Sequence, residues 1–300
     1  MQFHRGAPVA IMAFNRPDYL DVVLASLKRQ TGRVLTDDQV HLFQDGATNP
    51  VSGRRSASDA EIVESVEVFK KHFPEGKVHL SEINLGVARN FARAEDLFFN
   101  ILEAPIAYFF EDDLELGPFY LKTLETLGES AIHNEAVGYV AAYGTPRNDE
   151  EAHAEQANKL IPLGHNWAFG LTRRQWLRSQ PYVKQYLNLV DNIDYRDRDT
   201  KAIYELLKSW GMGVPGTSQD VAKSLACFLT GGVKVNTNTA YGKYIGERGL
   251  HMNPQKFDAM GHRGSVFVTK DLHDRPEISE GEVIFLRKHL ANYCKEEIKI

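Results

Sequence analysis

The chain has 300 residues, 43% of them hydrophobic and 25% charged, and its 35 basic against 40 acidic side chains leave a formal net charge of −5. That composition supports an ordinary globular protein with enough apolar material for a large α/β core, and excludes a general basic footprint for nucleic acid or a polybasic membrane signal. Cys227 and Cys294 lie far apart and outside metal-ligand spacing, which excludes a disulfide framework or zinc knuckle and points to a reducing compartment.

The first half alternates strand and helix patterns. Residues 8–14 form a short apolar run closed by Asn15-Arg16-Pro17-Asp18, and Tyr19, Leu20, Val23, Leu24 and Leu27 then recur at helical spacing. A second strand, residues 40–43, ends at Gln44-Asp45-Gly46, and a polar surface loop follows over residues 47–59. Residues 60–72 read as an amphipathic helix with Ile62, Val66 and Phe69 on one face, and residues 77–80 as a third strand. Asn84-Leu85-Gly86 turns the chain into a helix reaching residue 102 or so, with Phe91, Leu97 and Phe98 on its apolar face. A fourth strand, Ile106-Ala107-Tyr108-Phe109-Phe110, runs straight into Glu111-Asp112-Asp113.

The second half is less regular. Residues 119–130 read as helix, 137–143 as strand, 144–156 as a polar loop containing Arg147, and 173–179 as helix. A long helical stretch over residues 182–210 is broken by the charged run 191–199, which is most simply a solvated helix end. Residues 233–236 form a further strand, and 280–297 a C-terminal helix. The glycine-rich segment 211–216 fits neither a dinucleotide fingerprint nor a phosphate loop, and reads as a flexible loop leading to Asp220. Alternating strands and helices predict an α/β fold with a mostly parallel central sheet and helices on both faces, and a more mixed second half. In such sheets ligands bind at the carboxyl ends of the strands, where the four polar turns of the first half would gather.

Three adjacent carboxylates at a strand end repel one another. They are either a solvated acidic turn or a site for a hard divalent cation, which takes oxygen ligands from one or two carboxylates and completes its shell with phosphate and water. Phe14-Asn15-Arg16-Pro17, Phe43-Gln44-Asp45-Gly46, Asn84-Leu85-Gly86-Val87-Ala88-Arg89-Asn90 and Phe110-Glu111-Asp112-Asp113-Leu114-Glu115, in that order, resemble the nucleotide-sugar glycosyltransferases of GT-A fold. The similarity is to the N-acetylglucosaminyltransferase I family and covers residues 8–257, with an insertion near residues 180–212.

The resemblance implies one GT-A domain over residues 1–300, with a nucleotide-sugar-binding half at 1–115 and an acceptor-binding half at 116–300. It makes Asp113 a metal ligand for manganese or magnesium, Asp112 a contact to ribose or sugar, and Glu111 a catalytic-site contact to the donor sugar. Strand alternation puts Glu111 and Asp113 on one side. Asp45 matches a uracil-binding aspartate, Arg16 an arginine at the nucleotide pocket, and Arg89 a further donor-site position. The neighbouring family histidine is Asn90 here, which departs from the pattern that sets donor choice.

Ser218-Gln219-Asp220-Val221 resembles the segment that holds the general base, making Asp220 the base, with Asp194 and Asp197 as rivals. The same stretch also reads as a helix cap and first turn. His251, after Gly249-Leu250, matches a position at the diphosphate and metal, although a lone histidine is commonly a surface residue. Trp167 in Gly164-His165-Asn166-Trp167 matches a loop beside the donor sugar, and equally suits core packing.

The implied activity is a metal-dependent, inverting transfer of a sugar, N-acetylglucosamine by analogy, from a UDP-sugar to a saccharide or glycolipid hydroxyl in bacterial-type surface polysaccharide or glycoconjugate synthesis. The partners are then a nucleotide-sugar donor and a saccharide acceptor, with no nucleic acid. No apolar run reaches the ~20 residues that span a bilayer, so a cytoplasmic protein is expected, meeting a membrane only peripherally through its substrate. A sugar nucleotidyltransferase would instead carry a glycine-rich basic loop where residues 14–17 stand, and a non-catalytic nucleotide-sugar-binding module would keep the fold without turnover.

Overall fold

The computed structural model describes residues 6–146, 149–250, 252–272 and 277–298. The first half lays down β1 (Val9–Ala13), α1 (Pro17–Lys28), β2 (Val40–Gln44), α2 (Asp59–His72), β3 (Lys77–Leu80), α3 (Gly86–Asp96) and β4 (Ile106–Glu111). After β4 come β5 (Leu114–Leu116), α4 (Tyr120–His133), β6 (Val137–Ala141), α5 (Glu150–Glu155), β7 (Leu160–Pro162) and β8 (Ala168–Thr172). The chain continues through α6 (Arg173–Leu189), α7 (Thr200–Ser209), α8 (Gln219–Leu229), β9 (Val233–Thr237), β10 (Gly242–Tyr244), α9 (Pro254–Ala259) and α10 (Glu280–Tyr293).

Eight strands form one sheet in the order β3-β2-β1-β4-β8-β6-β9-β7, and β5 pairs with β10 in a separate two-stranded ribbon. β1, β2, β3 and β4 are mutually parallel, β8 runs against both β4 and β6, β9 is parallel to β6, and β7 is antiparallel to β9. The result is the expected α/β class: a mostly parallel sheet that becomes mixed in its second half. β1 and β9 are buried at every position, as befits strands covered on both faces.

Strand order also decides where a ligand can enter. From β1 the chain winds outward through β2 to β3, then returns to add β4 on the other side of β1. The winding reverses between β1 and β4, and at such a switch point the two connecting loops part and leave a crevice beyond the strand ends. Arg16 follows β1 there, and Glu111 ends β4.

Aromatic side chains set the layers. Phe109 stacks on Phe169 of β8 at 5.3 Å between ring centroids, and Phe169 on Phe91 of α3 at 6.0 Å. The next residue, Phe110, faces the opposite side and meets Tyr120 of α4 edge-on at 6.1 Å. Helix starts follow the local chemistry. Pro17 opens α1, Ser58 and Glu61 form a capping box on α2, and Ser218 caps α8 by accepting from Val221 N.

Some expected boundaries shift. Residues 173–189 form one helix through Pro181, not two pieces; the Leu177 carbonyl that Pro181 cannot bond lies on an exposed side, and continuing the helix buries Val183, Tyr186 and Leu187. The loop expected at 144–156 contains α5, capped by Asp149. Segment 211–216 is held rather than free, since Gly213 N donates to Cys294 O and Val214 is fully buried. The charged run 191–199 is not a plain solvated end. Asp191 pairs with Arg89 at 2.7 Å and the buried Asp194 with Arg54 at 2.8 Å.

A buried ion pair joins α3 to α8: Lys223 Nζ lies 2.5 Å from Glu95 Oε1, with both side chains almost fully enclosed. Removing one member leaves the other charge stranded, so Glu95→Ala is expected to cost about 3–5 kcal/mol. In contrast, Glu95→Leu with Lys223→Met should be near neutral in a denaturant titration.

Candidate active site

The crevice between β1 and β4 is built around one guanidinium. Arg16 donates from Nη2 and Nε to Asp112 and lies 2.8 Å from Asp113 Oδ2 through Nη1, which also donates to Arg248 O at 3.2 Å. Asp112 and Asp113 are both buried. β4 ends at Glu111, and Asp112 and Asp113 belong to a turn, so the strand alternation expected to separate them does not extend that far. Both carboxylates converge on Arg16.

The far wall comes from the second half. Because β10 pairs with β5 in the register Tyr244↔Leu114, the Tyr244 hydroxyl reaches Asp113 and donates a hydrogen bond to it. Ile245 N donates to Asp113 O at 2.8 Å. Gly246 must lack a side chain here: a Cβ would stand 2.4 Å from the Tyr244 hydroxyl and 2.7 Å from Asp113 Oδ2. Trp167 stacks on Tyr244 at 4.3 Å and on His165 at 4.5 Å, and its carbonyl accepts from Glu111 N at 2.7 Å. Its indole is therefore part of an aromatic wall that carries Tyr244 to Asp113.

Asp220, in the first turn of α8, accepts from Asn166 Nδ2 at 3.1 Å. Its charge is felt by Glu111, which also feels Asp113 and Asp112. Glu111 thus feels three other carboxylates across the crevice, with Arg16 among them. Burial and then the negative charges of Asp113 and Asp220 push Glu111 well above the usual carboxylate range. Burial, helped by Asp112, pushes Asp113 up to about 6 against the pull of Arg16 and Tyr244.

Among the described residues no group of three or more His, Cys, Asp and Glu side chains is arranged to hold a metal by itself. A magnesium-type ion does not need one, because substrate phosphates and water supply most of its ligands. The fit is tested at Asp113, whose Oδ1 is buried without a hydrogen-bond partner. A bare carboxylate oxygen in an excess of negative charge suits a hard cation.

The remaining expected residues fall into place as follows. Asp45 accepts from Gly46 N, Leu85 N and Gly86 N at 2.8–3.0 Å and from Asn84 Nδ2 at 3.3 Å. Those donors fill the roughly four acceptor positions of a carboxylate, so Asp45 locks the turn that opens α3 and presents no vacant acceptor to a base. Gly86, at φ +73°, makes that turn possible. Arg89 sits in the first turn of α3, paired with Asp191 and apart from the triplet, and its Nε is buried without an acceptor. Asp194 and Asp197 are gathered on Arg54. His251 lies outside the described residues. Sequence reasoning did not single out Tyr244, Asn166 or Gly246. Only the nearby stretches Gly164-His165-Asn166-Trp167 and Gly249-Leu250-His251 pointed that way.

No family model matches the chain, and no curated protein matches it. Among solved structures, it is similar to glucosyl-3-phosphoglycerate synthase from Mycobacterium tuberculosis in complex with Mn2+, UDP and glucosyl-3-phosphoglycerate. The two share 11% identity over 97% of this chain and 80% of that chain, with a TM-score of 0.36. A superposition that loose carries neither ligands nor residue roles across, and the N-acetylglucosaminyltransferase I resemblance continues to rest on its motifs.

A raised carboxyl pKa means that the folded protein holds a proton the unfolded chain releases. This contribution to stability is complete below the ordinary carboxylate value of ~4. It is lost as pH rises to about 6. Asp113→Asn should therefore raise the stability of the metal-free protein at pH 7.5 by about 1–3 kcal/mol and change little at pH 3.5, as read by thermal melts. Adding MnCl2 at pH 7.5 should raise the wild-type midpoint and leave that of Asp113→Asn unmoved.

Proposed function

We propose that the protein is a metal-dependent inverting glycosyltransferase of GT-A type, which moves a sugar from a UDP-sugar to a saccharide or glycolipid hydroxyl. The observation that carries this reading is the bare, buried Oδ1 of Asp113 at the switch point between β1 and β4, among four carboxylates and across the crevice from Asp220. The motif resemblance supports UDP-N-acetylglucosamine as donor and surface polysaccharide or glycoconjugate assembly as context.

In this reading Asp113 holds the cation, manganese or magnesium, with His251 as a second ligand by motif. Such an ion, when bound, neutralises charge on the departing diphosphate. Arg16, fixed by Asp112 and the Arg248 carbonyl, keeps the triplet from flying apart and marks the nucleotide side. Burial opposes its charge, but Asp112 and Asp113 hold it protonated. Arg89 has an unused buried donor at the N-terminus of α3, where an anion is favoured. Asp45 supports that terminus from behind. Glu111 and Asp112 line the sugar and ribose side, and the Trp167 wall closes it.

Asp220 accepts the proton of the acceptor hydroxyl as that oxygen forms its bond to the anomeric carbon. The bond to the diphosphate oxygen breaks, its electron pair leaves with the diphosphate, and attack from the opposite face inverts the centre. Asn166 holds the carboxylate oriented for that step. Asp194 and Asp197 are tied to Arg54, which favours Asp220 as the base.

Calorimetry with UDP-N-acetylglucosamine and MnCl2, alongside an assay for UDP release, tests the reading. Asp220→Asn should bind the donor as wild type does while transfer falls by ~10²-fold or more. Asp113→Ala should lose metal-dependent binding. Metal-dependent binding with no release under any acceptor would instead identify a binding module.

A further inference from the structure

Behind Asp220 lies a lysine that the proposed reaction does not use. Lys234, the second residue of β9, is buried, and among the described residues no carboxylate lies within ion-pair distance of its Nζ. Its Nζ donates to Ser224 Oγ at 2.9 Å, and Ser224 Oγ donates in turn to the Asp220 carbonyl at 2.7 Å. Tyr139 offers its ring 5.4 Å from the ammonium. A buried ammonium without a paired carboxylate is costly, and an apolar side chain of the same length would fill the space at lower cost.

The groups around the two side chains show what the charge faces. Lys234 is flanked by Lys223 and Cys227 of α8 and by Cys294 after α10, and the Asp220 carboxylate is the strongest charge acting on it. Asp220 in turn acts on Glu111 of β4, Tyr139 of β6, Tyr143, His165, Tyr186 of α6 and Tyr293 of α10. Burial keeps those tyrosines and His165 uncharged near neutrality. Of these groups Lys223 and Lys234 are the full positive charges, and Lys223 is already paired with Glu95.

We propose that Lys234 is a positioning residue for Asp220: through Ser224 it fixes the first turn of α8, and its buried ammonium is the cation that the Asp220 carboxylate answers to from behind. This rests on Asp220 being the general base. Burial lowers the Lys234 pKa and the Asp220 charge raises it again, so deprotonated Asp220 and protonated Lys234 favour each other.

The coupling is measurable without any reaction. In metal-free protein labelled with 13C-carboxyl aspartate, the Asp220 resonance, assigned by its loss in Asp220→Asn, is titrated in wild type and in Lys234→Met. The Asp220 midpoint should move up by about one pH unit in the variant, while the thermal midpoint stays equal to wild type or rises. Lys234→Gln keeps a donor for Ser224 and drops the charge, so it should give the same shift and serves if methionine is not tolerated. An unmoved Asp220 midpoint in both variants overturns the proposal. UDP release from UDP-N-acetylglucosamine in MnCl2 then separates the two readings. If Asp220 is the base, the acid limb of kcat moves up with the NMR midpoint and the donor KM stays constant. An NMR shift with a stationary acid limb leaves the Lys234 link standing and removes Asp220 from the role of base.

Discussion

Negative charge crowded onto one guanidinium is the constraint around which this molecule is arranged. Asp112 and Asp113 are buried within reach of Arg16, and Asp113 and Asp220 lie close enough to oppose ionisation of Glu111. Like charges in a partly desolvated crevice destabilise a fold unless something offsets them. Arg16 offsets part of that repulsion and leaves a remainder on Asp113 Oδ1. A folded chain that keeps an unfavourable concentration of charge at a sheet switch point has its most economical explanation in a ligand of opposite charge.

The rest of the structure can be read as the means of holding that cluster in place. β1 and β4 are adjacent and parallel, which sets Arg16 beside the triplet. The β5–β10 ribbon brings Tyr244 and Gly246 over Asp113, and the stack through Trp167 fixes that ribbon to the loop before β8. α8 is moored by two buried lysines, one on Glu95 of α3 and one on Ser224, so Asp220 is presented from a rigid helix turn. For the proposed reaction rigid mounting matters, because a base misplaced by an ångström loses much of its effect.

Much of the fold was legible because covered parallel strands are apolar on both faces and stand out as unbroken runs, as in residues 8–14 and 106–110. The triplet and Arg16 were legible because each sits in a short local motif. What escaped depends on distant pairing. β8 is a five-residue strand with Gly170 inside it, and only its antiparallel seat between β4 and β6 makes it a strand. Tyr244 acquires its contact with Asp113 from the ribbon register. The Asp45 carboxylate looked like a recognition group because its backbone donors come from residues 84–86, and a sequence does not display which amides will converge. Pro181 suggested a helix end, yet the packing of Val183 and Tyr186 outweighed one missing hydrogen bond.

The bond from Arg16 to the Arg248 carbonyl spans 232 residues of chain. Closing so long a loop is entropically unfavourable until nearly everything between has folded, so this contact belongs among the late events of folding. A chain still emerging from the ribosome would hold β1, β4 and the acidic triplet for some time before Tyr244 and Arg248 exist to cover them. The partly made protein therefore passes through a stage with its charge cluster open to water, which ends only once residues 244–248 have been synthesised.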